Sequence, residues 1–363
     1  MYKLIGLLSV TALLVSSAPA SAAPCTTATD PCAEWVTLGG GPSRSLVYRS
    51  HPLTTRNEAI TRAFVLVHGA GRDVTNYFRT AVAAAFLGGA LDDTLVIAPR
   101  FASKDADCQD ALASNEVSWP CNGNSWRAGG TAIGNSKLTS FDFADEILRR
   151  LADRQTFPNL KAIVMAGHSA GGQFVTRYEM ANQVHDKLGV PMTYVVANPS
   201  SYAYLDALRP TALAYATTAS APGYIPAVPA APGAGAGAAT AGPFRAFGDD
   251  RNCTTFNQWP YGLQKRTGYT EKIADDQLKK QLVARQTTYL LGELDILPLG
   301  GFDASCAAMA QGPTRLARGQ AFSKYVNEKL GAQHKTIVVA LCGHNARCMF
   351  TSDAALPLVF PKP

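Results

Sequence analysis

The sequence predicts an α/β fold built on a mostly parallel sheet with helices on both faces, and three observations carry that prediction. From residue 63 onward, short runs rich in Val, Ile and Thr alternate with longer amphipathic stretches, and strand, helix, strand in regular succession means parallel pairing through right-handed crossovers. One of those runs, residues 162–166, is apolar and unbroken, as a strand covered on both faces should be. It leads through Gly167-His168-Ser169-Ala170-Gly171 into a helical stretch. A serine with glycines two positions either side suits a strand-to-helix bend too sharp for larger neighbours.

Two weak strands are expected first, at 35–38 and 45–48. The alternating body follows, with strands at 63–67, 94–98, 162–166, 193–197, 287–291 and 336–341, chosen for their β-branched content and length. Helices at 75–86, 141–152, 172–185, 271–285 and 314–330 fill the intervals. Residues 101–139 read as a long loop holding Cys108, Cys121 and Asn124-Ser125-Trp126-Arg127. Residues 199–270, before the penultimate strand, read as a loop-rich insertion or lid with a Pro, Ala and Gly tract near 220–243 that cannot build a packed core. In parallel sheets ligands bind at the carboxyl ends of strands, so functional residues are sought just after each one.

The N-terminal residues 1–22 read as a signal peptide: Lys3 precedes an apolar run at 4–15, and Ala20-Ser21-Ala22 offers the small residues of a cleavage site. Residues 23–363 are then one domain, with no apolar run long enough to span a membrane. A secreted or periplasmic address agrees with the eight cysteines, because disulfides persist in oxidising compartments. Eight cysteines allow 105 pairings; local pairing suggests Cys25 with Cys32, Cys108 with Cys121, Cys253 with Cys306, and Cys342 with Cys348. Zinc is disfavoured, for the chain has neither a CxxC pair nor an HExxH helix. Without Lys3 the chain carries 32 basic against 27 acidic side chains, a net charge of +5. That excess is spread out with no basic run, which gives no reason to expect a nucleic-acid partner.

A serine hydroxyl is a poor nucleophile until a base stands within hydrogen-bond reach and a third group holds that base. Six histidines are available, and His344 fits best, following the last strand within Leu341-Cys342-Gly343-His344-Asn345 where a glycine turn could swing the ring back over the sheet. The acid should follow an earlier strand: Gly292-Glu293-Leu294-Asp295 offers Asp295, with Glu293 as competitor. Oxyanion donors are expected from the N–H of Ala170 and from the loop Val67-His68-Gly69-Ala70-Gly71, where Ala70 is favoured over Gly71. Trp126 is a candidate substrate contact near the mouth of the site, its alternative being packing against a Cys108–Cys121 staple. A histidine base must be neutral, so activity should fall below roughly pH 6.

Taken together, His68-Gly69, the Ser169 turn, Asp295 and His344 resemble the α/β-hydrolase superfamily over residues 63–344, in the chain order Ser, Asp, His. The resemblance implies an eight-stranded, mostly parallel sheet, acyl-enzyme chemistry and no metal or organic cofactor. Around Ser169-Ala170-Gly171-Gly172 the chain is similar to secreted polyester depolymerases and feruloyl-type esterases. The expectation is a secreted serine esterase acting on a small-molecule or polymeric ester. Alternatives are a polyester depolymerase, a peptidase or amidase using the same three residues, and a non-catalytic binding protein on the same fold.

Overall fold

Strands form where the apolar runs are densest, and the helices between them cover both faces. A computed structural model describes residues 23–211, 242–249 and 251–362. The expected signal peptide and nearly all of the 220–243 tract lie outside the described residues. The main strands are β1 (Ala33–Thr37), β2 (Arg44–Arg49), β3 (Arg62–Val67), β4 (Thr94–Pro99), β5 (Ala162–His168), β6 (Met192–Ala197), β7 (Thr287–Gly292) and β8 (Lys335–Val339). They form one eight-stranded sheet in the order β1-β2-β4-β3-β5-β6-β7-β8. The first two strands pair antiparallel with each other, and β2 pairs antiparallel with β4; every later pairing is parallel. This is the α/β-hydrolase fold.

Alternation along β3 shows how the sheet splits the core. Ala63, Val65 and Val67 join one apolar cluster with Phe101, Phe174 and Phe322, while Phe64 and Leu66 join another with Phe78, Phe350 and Phe360. The first cluster is covered by helices α2 (Ser140–Leu151), α3 (Ala170–Ala181), α4 (Asp275–Ala284) and α5 (Arg315–Leu330). The second is covered by α1 (Val74–Leu87) with the short α6 (Ala346–Phe350) and α7 (Leu356–Val359). All residues of β4 and β7 are buried, and after the threonines that open them their sequences carry no polar side chain but the Tyr289 hydroxyl.

Element boundaries shift where local chemistry intervenes. Helix α3 begins at Ala170, two residues earlier than expected, because Ser169 is its N-cap. It ends at Ala181, where Asn182 Oδ1 accepts the N–H groups of Val184 and His185 and competes with the helical ladder. Strand β8 stops at Val339, and Leu341 adopts a left-handed φ of 58° that turns the chain toward the site. Residues 101–139 are not merely a loop: Trp119 and Trp126 are buried, Trp126–Ala128 is a 3-10 turn, and Thr131–Ala132 pairs with Asn135–Thr139. The described parts of 199–270 lie down on the body. Ser201, Tyr202 and Tyr204 are buried, the Trp259 indole donates to Ala128 O, and the Tyr269 hydroxyl donates to Asp145. All eight cysteines are paired, as Cys25–Cys32, Cys108–Cys121, Cys253–Cys306 and Cys342–Cys348.

Candidate active site

Ser169 sits at the carboxyl end of β5 with φ 57° and ψ −117°, a backbone conformation that L-residues rarely adopt. The bend brings backbone segments so close that its neighbours must be glycines. A Cβ at Gly167 would lie 2.2 Å from Gly171 O, one at Gly171 2.1 Å from Val67 O, and one at Gly172 2.6 Å from Ala197 O. Ser169 N–H donates to Ala197 O at 2.9 Å, locking the turn to the end of β6. The N–H of Ala170, in the first turn of α3, has no acceptor within its own helix, and the helix dipole adds partial positive charge there.

His344 reaches Ser169 from the loop after β8, three strands along the sheet from β5, its Nε2 2.9 Å from Ser169 Oγ and its Nδ1 2.7 Å from Asp295 Oδ2. An ionised carboxylate can only accept, which assigns the ring hydrogen to Nδ1 and leaves Nε2 to accept from the serine hydroxyl. Asp295 is 2% exposed, at a turn closed by its N–H on Gly292 O. Glu293, the competing acid, instead accepts Leu341 N–H with Oε2. The histidine loop is stitched at several points. Asn198 Nδ2 donates to Gly343 O, Leu294 N–H donates to Cys342 O, and Cys342–Cys348 closes the loop onto α6.

The loop after β3 completes the arrangement. The His68 ring bridges two main chains: Nδ1–H donates to Gly69 O at 2.9 Å and Nε2 accepts Phe101 N–H at 3.0 Å. Burial pulls its pKa down to about 4, so the ring is a neutral strut. The Arg72 guanidinium donates to the carbonyls of Phe101, Pro120 and Cys121 and fixes the other end of the loop. Gly69, Ala70 and Gly71 thereby line the same cavity as Ser169 and His344, which has a volume of about 580 Å³ and is closed opposite by Gly300 and Gly301.

His168 and Tyr77 stand beside the site, and the sequence does not single them out as site residues. His168 packs against His344 with ring centroids 4.6 Å apart and the rings tilted by 39°, and it shares a hydrogen bond with Tyr77 Oη at 3.1 Å. Burial, reinforced by the charges of His344 and Arg315, holds His168 well below the usual histidine range and therefore neutral. Trp126 requires a correction. It is completely buried, stacked on Phe101 at 5.0 Å and 5.1 Å from the His68 ring. Its indole offers no face to a substrate and props the loop after β3 from behind.

The chain matches the model of the alpha/beta hydrolase family over residues 64–356, and it belongs to that family. No curated protein matches it in sequence. Among solved structures it is similar to the poly(3-hydroxybutyrate) depolymerase LpqC of Bordetella parapertussis, at 20% identity and a TM-score of 0.54, covering 88% of this chain and 90% of that one. It is also similar to poly(aspartic acid) hydrolase-1 of Sphingomonas sp. KT-1, at 21% identity and a TM-score of 0.57, covering 90% and 98%. Likeness at these identities is a likeness of fold.

Proposed function

We propose that this protein is a secreted serine esterase that cleaves carboxylic esters through an acyl-enzyme intermediate. The observation that carries the reading is the continuous chain of contacts from Ser169 Oγ through His344 to Asp295, opening on a cavity. Ser169 Oγ attacks the acyl carbon as His344 Nε2 takes its proton, and Asp295 holds the ring and stabilises the imidazolium. The N–H groups of Ala170 and Ala70 receive the charge that develops on the carbonyl oxygen, a contribution of about 2.7–4 kcal/mol per donor. The alcohol leaves with the proton from His344. Water, deprotonated by the same nitrogen, then releases the acid and restores the serine. Four disulfides in the folded chain fit an oxidising compartment, which supports the secreted address.

Ser169→Ala should lower kcat on a soluble nitrophenyl ester by on the order of 10⁵-fold, since members of such a unit act together. Near-normal turnover in that variant, or failure of the wild type to label with a fluorophosphonate, would falsify the reading. A chain-length series of nitrophenyl esters, run beside a polyester film and a peptide panel, separates small-ester, polymer and amide substrates.

A further inference from the structure

Asp295 has two carboxylate oxygens, and His344 uses one of them. The other, Oδ1, lies 3.4 Å from Arg315 Nη1, and the two side chains are 1% and 0% exposed. Burying a guanidinium is costly unless it is paired and its donors are satisfied. Arg315 meets both conditions. Nε donates to Ser200 Oγ at 2.7 Å, Nη2 donates to Leu299 O at 2.7 Å and Gly300 O at 2.9 Å, and Phe302 lies 5.2 Å from its centre. These partners come from separate places: Ser200 follows β6, Asp295 and Gly300 follow β7, and Arg315 opens α5. Gly300 is itself a wall of the cavity, and a Cβ there would lie 3.3 Å from His344 Cδ2.

We propose that Arg315 is a positioning residue for the reaction at Ser169: its planar fork fixes both the carboxylate that orients His344 and the Gly300 wall beside it, and its charge sets the pH range in which the base works. The proposal rests on the serine-hydrolase reading above. A positive charge against Asp295 offsets part of the carboxylate field at His344. The other groups facing His344 are the His168 ring from β5, Ser169, and, around the shared cavity, Arg72, Asp73, Tyr77 and Arg347. Of these only His168 also feels the charge of Arg315; burial, the larger cause of its depression, keeps it neutral when that charge is removed. Removing the charge leaves Asp295 uncompensated and favours the imidazolium, so the base becomes neutral only at higher pH. Lysine keeps the charge but lacks the fork that reaches four acceptors.

The test uses the full chain and a soluble nitrophenyl ester, with kcat, KM and the pH profile of kcat/KM measured for Arg315→Gln, Arg315→Lys and Ser200→Ala. Arg315→Gln should lower kcat about 100-fold with KM changed less than about threefold, and should move the acid limb upward by about one pH unit. Arg315→Lys should lose about tenfold in kcat, and Ser200→Ala a few-fold, both with the limb in place. Folded Arg315→Gln with wild-type kcat and limb, or a limb that moves equally in Arg315→Lys, overturns the proposal. If Arg315→Gln does not fold, wild-type kcat in both other variants overturns it. Ser169→Ala is assayed alongside. Turnover there sinks the serine-hydrolase reading, whereas Ser169-dependent activity with unaltered Arg315 variants sinks only the role of Arg315.

Discussion

At the scale of single residues, the spacing of glycines around Ser169 was legible because a sharp bend excludes every Cβ nearby, and steric exclusion leaves a mark in sequence. Asp295 and His344 were legible from chain order and from their places after strands. Arg315 left no mark, because its role depends on Ser200, Asp295 and Gly300 meeting in space, and an arginine in the first turn of a helix is ordinary. Trp126 misled for a related reason: an indole beside a disulfide reads the same whether it faces solvent or core. Glu179 gives a residue-scale prediction. It is fully buried on α3, its Oε1 3.8 Å from Nε2 of the buried His334, and burial pushes its pKa up to about 8 against the opposing effects of Thr287 and Arg285. Between the ordinary glutamate range and about pH 8, the unfolded chain releases a proton that the folded chain keeps, so stability declines as pH rises through that window. Glu179→Gln removes this decline. Urea unfolding at pH 5 and pH 8 should show the variant gaining on the wild type by on the order of 1 kcal/mol or more at the higher pH; a constant difference would count against it.

At the scale of elements, the sequence placed every main strand within a few residues, the central ones because strands covered on both faces demand apolar runs, the outer β1, β2 and β8 through their β-branched and aromatic content. It misjudged ends, where side chains such as Asn182 compete with the backbone ladder and no periodicity reports the contest. The His344 loop is the element on which the site depends most, since β8 ends early and the disulfide Cys342–Cys348 must bring the chain back. Replacing both of its cysteines with serine should cost about 2–2.5 kcal/mol in stability, modest because the closed loop is short. The effect on kcat should be larger than the thermal shift suggests, because the aim of His344 is lost while the Ser169 turn stays intact. Parallel measurements of kcat and Tm check this; equal kcat in the double variant would show that the hydrogen bonds of Asn198 and Leu294 suffice. Mild thiol reductant should act in the same direction.

At the scale of the whole molecule, the fold was readable from the order of strands and helices, but the arrangement of 101–139 and 199–270 was not, because long irregular segments pack by specific contacts rather than by period. The disulfide Cys253–Cys306 joins the described end of the second segment to the chain that runs on from the cavity wall, across a separation of 53 residues. The other three span 6 to 13. On the chain-entropy account its loss should cost about 4 kcal/mol, against about 2.5 kcal/mol for Cys25–Cys32. Serine replacements of each pair, compared by thermal and denaturant unfolding, should rank in that order.

The cavity wall has a further consequence. Gly69, Ala70, Gly71, Gly300 and Gly301 present mostly bare main chain to whatever enters. That stretch of wall, unlike the rest where Arg72, Asn76, Tyr77 and Arg347 stand, has few side chains to trim, so selectivity there is more easily written by addition than by deletion. Gly71 is the open position: a Cβ placed on it meets nothing within 4 Å, and its φ lies outside the left-handed range. Gly71→Phe should therefore fold, keep fluorophosphonate labelling at Ser169 and shift preference toward short acyl chains, by on the order of tenfold per methylene excluded. An unchanged chain-length profile would show that the acyl group lies along another wall. The bare main chain that leaves this stretch of wall open also leaves it open to adjustment by an added side chain.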